Sequence, residues 1–468
     1  MAYASINPYN NEVLHTYTDT TDEEVEVAIA SAHALYKKWR NDPVSSRADI
    51  LYKLADYFEA HEQELAEVLT KEMGKRIVEA KGEVALTAMI ARYYADNAER
   101  VLQPRTVKSV MGEAQIISRP TGVIMSVEPW NFPYYQVVRV FAPNYMVGNP
   151  VLLKHARNTP GAAVAFEKAL EAVGAPTGTF KNLFISHDQI ADILADMRVQ
   201  GLAFTGSEVG GRALAEEAGR NIKKSSLELG GSDAFIVLDD ANLEELDKII
   251  GQARLYNAGQ VCTSSKRFIV TEKNYNKVVE MLTAKFDGVK VGDPMDPATK
   301  LAPLSSVKAK NILVKQVQKA LDGGATLAFG EVDTNLETAH FNPIILTNVT
   351  KDNPMFYEEF FGPVGQVFKV KDEAEAIELA NDSNFGLGGV VFAGDPDHGT
   401  EVATKIETGA VYVNSYGGTL PELQFGGVKN SGYGRELGEE GLMTFVNQEQ
   451  VVTRRKPIDL ADTTGGFV

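Results

Sequence analysis

Between residues 150 and 220, short apolar runs alternate with stretches of helical periodicity. "PVLLKHA" is followed by "GAAVAFEKALEAVGAP", "TFKNLFI" by "HDQIADILADM", and "VQGLAFTGS" by "EVGGRALAEEAG". Parallel strands need a crossover, and a helix supplies it, so this alternation predicts a parallel, doubly wound sheet of the nucleotide-binding type. A second alternating region opens at "SDAFIVLDD" and runs through "KRFIV" and "GGVVFAG" to "GAVYVNS", predicting another α/β unit. Two such units suit a chain of 468 residues, which is too long for one ordinary core.

The flanks read differently. From Asp22 to about Gln103, apolar residues recur three and four apart, as in "EEVEVAIASAHALYKKW", predicting amphipathic helices with solvated outer faces. After Pro104, "RTVKSVMGEAQIISRPTGVIMSV" predicts a hairpin and then a buried strand. The tail "FVNQEQVVTRRKP" predicts one more strand, pairing with that hairpin outside both cores. No repeat, low-complexity tract or flexible linker separates the units, so they are expected to pack tightly, with the site in the cleft between them.

Charge and composition narrow the function. A formal net charge of -17 argues against nucleic acid or an anionic membrane as partner, and no basic cluster exceeds "RRK" at 454–456. The opening "MAYASINPYNNEV" has neither the basic start nor the apolar core of a signal peptide, and no stretch reaches the length of a membrane span. A single cysteine cannot form an internal disulfide, which fits a reducing cytoplasm.

That cysteine, Cys262 in "GQVCTSS", has small neighbours that would leave a thiolate accessible; a buried, inert thiol is the plainer reading. The seven histidines show no local signature of a cysteine hydrolase base. In "SLELGGSDAF", Glu228 ends an otherwise apolar strand, where a charge is costly unless it is paired or functional. "FTGSEVGG" lies between strand and helix, where backbone amides could meet a pyrophosphate; a tight packing turn explains it equally well. In "EPWNFPYYQVVRV", Asn131 is either an oxyanion donor or a helix N-cap. Tyr135 and Arg139 follow it by four and eight residues, on one helical face.

Taken jointly and in order, "PWNFP", "FTGSEVG", "LELGG", "GQVC", "EEFFGPV" and "FGGVKNSGYGRE" resemble the aldehyde dehydrogenase superfamily along essentially the whole chain. Within it, "LELGGSDAFIV", "GQVCTSSKRFIV" and "LPELQFGGVKNSGYGREL" are most similar to the bacterial group acting on succinate semialdehyde. The resemblance implies two doubly wound parallel-sheet domains plus a small β oligomerisation element. Residues 1–103 and 121–230 would bind the cofactor, 231–438 would form the catalytic domain, and 104–120 with 439–468 would build a homodimer or a dimer of dimers.

It implies roles as well. Cys262 would be the nucleophile, Glu228 the general base, Asn131 the side-chain half of the oxyanion hole, and Glu436 a proton relay. Trp130, Lys154, Arg157, Ser207, Glu208, Leu229, Glu359 and Phe361 would contact the cofactor; Tyr135, Arg139 and Ser415 would contact the substrate; no metal is expected. The aldehyde would be oxidised through a thiohemiacetal and a thioester on Cys262, with succinate semialdehyde giving succinate. Another short aldehyde is the alternative, as is a nicotinamide-independent thiol hydrolase or acyltransferase.

The cofactor expectation is NADP in preference to NAD. Arg157 stands where many NAD-preferring relatives carry a glutamate, and a guanidinium can pair with a 2′-phosphate. Three departures from the family pattern are visible. Gln424 replaces a common proline. Tyr256 replaces an arginine known in some succinate-semialdehyde enzymes, for which Arg254 or hydroxyls in "NSYGGT" could compensate. Thr263 and Ser264 leave no second cysteine for a regulatory disulfide.

Overall fold

The computed structural model describes residues 3–109 and 112–453. Its first sheet has six strands in the order Gly432–Tyr433, Lys224–Glu228, Val199–Thr205, Val123–Glu128, Val151–His155, Phe180–Asn182. All neighbours are parallel except Gly432–Tyr433, which runs antiparallel to Lys224–Glu228. The expected crossovers are helices Pro160–Ala172, His187–Ala195 and Glu208–Arg220. Val123–Glu128 and Val151–His155 are buried at every position, because helices cover both faces of the sheet.

The strand order reverses direction between Val123–Glu128 and Val199–Thr205. Helices after these strands diverge, so a crevice opens beyond Glu128 and Thr205, where open α/β sheets take their ligands.

The second sheet has seven strands: Thr326–Phe329, Ile344–Thr347, Val364–Val370, Ser265–Thr271, Asp233–Val237, Gly388–Phe392 and Ala410–Val413. Only the edge strand Thr326–Phe329 is antiparallel. The chain then returns to the first sheet at Gly432–Tyr433, within the range 231–438 expected for the second domain. The two sheets are thereby stitched together beside Glu228, whose backbone pairs with Gly432.

The helical flank comprises Asp22–Trp39, Ala48–Ala60, Glu62–Met73 and Ile77–Val101. Thr21 and Glu24 close a capping box on the first, and Leu51, Leu54, Phe58, Ala88 and Tyr94 pack into a core shared with helix Pro133–Val147. Before them, Tyr3–Ile6 and Val13–Tyr17 form a hairpin that the helical periodicity does not signal. Outside both cores, Val446–Thr453 pairs antiparallel with Gly112–Pro120, which pairs with Arg105–Ser109. The "RRKP" that ends the expected tail strand lies outside the described residues.

Candidate active site

The segment that presents Cys262 is bent by its own backbone. Asn257 and Ala258 take left-handed conformations (φ 51° and 54°), and Gly259 continues them at φ 72°. A side chain on Gly259 would strike the Gly362 carbonyl at 2.5 Å. Gly259 is therefore packed against the loop at Gly362, and Cys262 follows at the turn, half-buried. Arg254 fastens this arrangement by donating to the carbonyls of Val364, Gly259, Phe360 and Gly362 and to Ser264 Oγ. Its guanidinium is wholly buried in that task, which corrects the expectation that it could compensate at the substrate end.

Lys266, also fully buried, donates to the carbonyls of Val261 at 2.7 Å and Cys262 at 2.6 Å and pairs with Glu359 at 3.1 Å. The Gly-Gly of "LELGG" makes room for both partners. A methyl group on Gly230 would lie 2.6 Å from a Glu359 carboxylate oxygen, and one on Gly231 would lie 2.6 Å from the Cys262 carbonyl oxygen. Burial pushes the Cys262 thiol up to about 12, against the pull of the Lys266 and Arg139 charges.

Asn131 is not the N-cap of helix Pro133–Val147; Phe132 holds that position without a side-chain bond. Instead Glu83, from helix Ile77–Val101, accepts from the backbone N–H of Tyr134 at 2.8 Å and of Tyr135 at 3.2 Å. Glu83 also pairs with buried Lys75, which donates to the Asn131 carbonyl at 2.8 Å and lies 3.8 Å from the Phe132 ring centre. One turn earlier, Glu79 accepts from Asn257 N at 3.1 Å. Asn131 Nδ2, freed from capping, donates to Gln260 O at 3.0 Å, two residues before Cys262.

Cys262 opens on a cavity of about 330 Å³. Phe132, Tyr135 and Arg139 form one wall, Tyr256 and Phe425 contribute aromatic faces, and Tyr416 to Thr419 close the side. Ser415 is not in that wall. It is exposed and donates to the Tyr416 carbonyl, because Asn414 turns left-handed (φ 55°) to bond Ala393 N and carries the next residue outward. Arg139 lines the cavity, but its Nε is ion-paired with Glu436, Nη1 donates to Tyr135 Oη at 3.0 Å and Nη2 to Thr205 Oγ1 at 3.0 Å.

Behind Arg139 lies Glu228, buried, with neither carboxylate oxygen hydrogen-bonded. Gly426 leaves it space, since a methyl group there would lie 2.7 Å from Oε1. Burial holds the Glu228 carboxyl well above the ordinary range; the Glu436 charge adds to this and Arg139 opposes it. Glu436 is tied to the cavity wall through paired backbone bonds with Phe425.

The remaining residues sit at the carboxyl end of the first sheet. Lys154 and Arg157 converge on the Tyr3 ring, at 5.9 and 4.5 Å from its centre. Burial and the Arg157 charge lower the Lys154 ammonium to about 8. Ser207 caps helix Glu208–Arg220 by accepting from Gly210 N, while Glu208 pairs with Arg212 one turn on. Leu229 packs against Gly211, where a methyl group would clash at 2.6 Å. Trp130 meets Phe361 edge-on at 5.7 Å. Two cations at a strand end, in the same sheet that feeds the helix N-terminus capped by Ser207, suit a phosphorylated dinucleotide. Among the described residues, no cluster of His, Cys, Asp and Glu could hold a metal ion, and no helix is long and apolar enough to cross a membrane.

A half-buried thiol facing a cavity, with a buried carboxylate near it and two cations at a strand end of the first sheet, is the layout of an α/β enzyme site. The chain belongs to the aldehyde dehydrogenase family, whose model matches residues 1–451. It is 44% identical over 462 residues to an enzyme of Deinococcus radiodurans named succinate-semialdehyde dehydrogenase (NADP+), covering 98% of this chain and 97% of that one. A probable succinate-semialdehyde dehydrogenase (NADP+) of Synechocystis is 39% identical, covering 96% and 99%. The crystal structure of succinic semialdehyde dehydrogenase from Streptococcus pyogenes in complex with NADP+ superposes with a TM-score of 0.94 at 52% identity, covering 96% of this chain and 99% of that one.

Proposed function

We propose that this protein oxidises succinate semialdehyde to succinate with NADP+ as preferred cofactor. The observation that carries the reading is the cavity lined by both Cys262 and Arg139, an aromatic-walled space that sets an arginine in the same pocket as the thiol. Relatives named for this substrate and this cofactor support it.

Cys262, as thiolate, adds to the aldehyde carbonyl, and the resulting oxyanion takes hydrogen bonds from the Asn131 carboxamide and a backbone N–H. Lys154 and Arg157 would hold the 2′-phosphate, the N-terminus of helix Glu208–Arg220 the pyrophosphate, and Glu359 the nicotinamide ribose; Trp130, Leu229 and Phe361 would flank the bound cofactor. When bound, it supplies the hydride acceptor. Glu228 then takes a proton from water, which attacks the Cys262 thioester and releases the acid, and Glu436 passes the proton onward. Arg139, with Tyr135, would meet the substrate carboxylate through the N–H groups that Tyr135 and Thr205 leave unused.

The three-stranded sheet would form the oligomer contact, making a homodimer or a dimer of dimers. Its edge strand Val446–Thr453 exposes Val451 and Val452, one on each face, and a second copy pairing along that edge would cover them. A cytoplasmic location agrees with the single thiol. The test is initial rates over aldehydes of equal length, with and without a terminal carboxylate, using NADP+ and NAD+. Highest kcat/KM for the carboxylated aldehyde with NADP+ is expected, and a preference for uncharged aldehydes overturns the substrate assignment.

A further inference from the structure

Beside the proposed base lies a buried carboxyl to which the chemistry gives no task. Glu128 ends the central strand Val123–Glu128 at the point where the strand order reverses, one strand from Thr205 and two from Glu228. It is 2% exposed; Oε1 accepts from Ser126 Oγ at 2.8 Å, and Oε2 is buried with no partner. Glu436 meets only the Arg139 guanidinium, and Glu228 meets no donor. Three carboxyls therefore lie around the Arg139 guanidinium, and Arg435 is a second cation bearing on Glu228. Burial and mutual repulsion work against ionising all three at once, so a proton is shared among them.

Beyond Arg139, the countercharge comes from Arg435. Helix Pro133–Val147 supplies Arg139 and Tyr135, helix Ile77–Val101 supplies Tyr94, and the C-terminal loop supplies Glu436 and Arg435. His155, opposite Glu128 in the sheet register, turns to Pro133 O and Thr159 and is lowered to about 4 by burial, so it is neutral.

We propose that Glu128 is a positioning residue for the base: it shares protons with Glu228 and Glu436 around Arg139, and its own charge decides when Glu228 can accept a proton from water. The proposal rests on the reading of Glu228 as the base. Burial holds both Glu128 and Glu228 well above the ordinary carboxylate range, and a charge on Glu128 raises Glu228 further. A proton on Glu128 removes that penalty and lets Glu228 ionise at lower pH.

Glu128→Gln in the full-length enzyme removes the charge and keeps the shape. The acid limb of the kcat–pH profile is expected to move down by about one unit, which is roughly tenfold in rate at a fixed acidic pH. A purely structural role lowers kcat at every pH and leaves the limb in place, and that outcome overturns the proposal. Infrared spectroscopy gives a readout independent of turnover: the wild type retains carboxylic-acid C=O absorption at neutral pH, and part of it disappears in E128Q. An unchanged band overturns the proton sharing itself, whereas a lost band with an unmoved limb traces the failure to the role of Glu228. If E128Q does not fold, Ser126→Ala removes a hydrogen bond that favours ionised Glu128. It is expected to move the limb in the same direction by a smaller step, and an unmoved limb is again fatal.

Discussion

The ammonium of Lys266 donates to the backbone carbonyl of Cys262 at 2.6 Å, four residues back along the chain. It is the first of the charges that lower the Cys262 thiol against burial. Removing it leaves burial unopposed on that side, so the thiol ionises at still higher pH. Lys266→Met is expected to slow iodoacetamide alkylation of Cys262 roughly tenfold at a given pH, equivalent to a rise of about one pKa unit. An unchanged alkylation–pH curve would show that the lysine acts only by holding carbonyls.

Cys262→Ala is expected to abolish aldehyde oxidation while NADP+ affinity, followed by calorimetry, stays within about threefold, because the thiol forms the covalent bond and lies in the substrate cavity. Measurable turnover by the alanine variant removes the thioester route. Glu228→Gln should instead give a burst of NADPH followed by a steady state at least roughly a hundredfold slower, as expected for loss of a base acting only in deacylation. A variant without the burst would place Glu228 before hydride transfer.

How much of this was legible in the sequence follows from the range of each interaction. The strands at "VLLKH", "LAFT", "DAFIV" and "KRFIV" declare themselves because a strand covered on both faces carries an unbroken run of three or more apolar residues, with charged residues only at its ends. Cys262 and Glu228 stand out as isolated chemistry in such surroundings. Glu79 and Glu83 do not, since buried carboxylates one turn apart on a helix read like a solvated charged face; only the fold brings Asn257 and Tyr134 to them. Arg254 is hidden for the same reason, its acceptors lying more than a hundred residues on at Phe360, Gly362 and Val364. Ser415, expected at the substrate from the family resemblance, lies outside the cavity lining because the left-handed turn at Asn414 carries it outward, a backbone feature that the motif does not reveal.

Arg139 separates two demands. Its charge lowers the carboxyls of both Glu228 and Glu436, so Arg139→Ala should move the acid limb of kcat to higher pH for any aldehyde. It should also raise KM for succinate semialdehyde by roughly tenfold or more over its effect on an uncharged aldehyde of equal length, the cost of one charge-assisted hydrogen bond. Equal KM changes for the two substrates would confine Arg139 to the ion pair with Glu436. Thermal stability should fall too, since a buried glutamate loses its partner.

As the proposed contacts of the 2′-phosphate, Arg157 and Lys154 predict a pH dependence of cofactor affinity. The Arg157 guanidinium stacks 4.5 Å from the Tyr3 ring centre, with the Lys154 ammonium 5.9 Å from the same ring, so two cations are gathered before any phosphate arrives. Their repulsion, added to burial, lowers Lys154 to about 8. A 2′-phosphate between them favours the charged lysine. Below about pH 8 that form is already present and NADP+ binds without taking up a proton. Above it, binding must recruit a proton, and affinity should fall by up to roughly tenfold per pH unit. NAD+, lacking the phosphate, should show a shallower decline. Arg157→Glu replaces a phosphate donor with a repelling carboxylate that accepts from a 2′-hydroxyl, and should reverse the kcat/KM ratio in favour of NAD+. A ratio that survives the substitution, or a wild type that already prefers NAD+, removes Arg157 from cofactor selection.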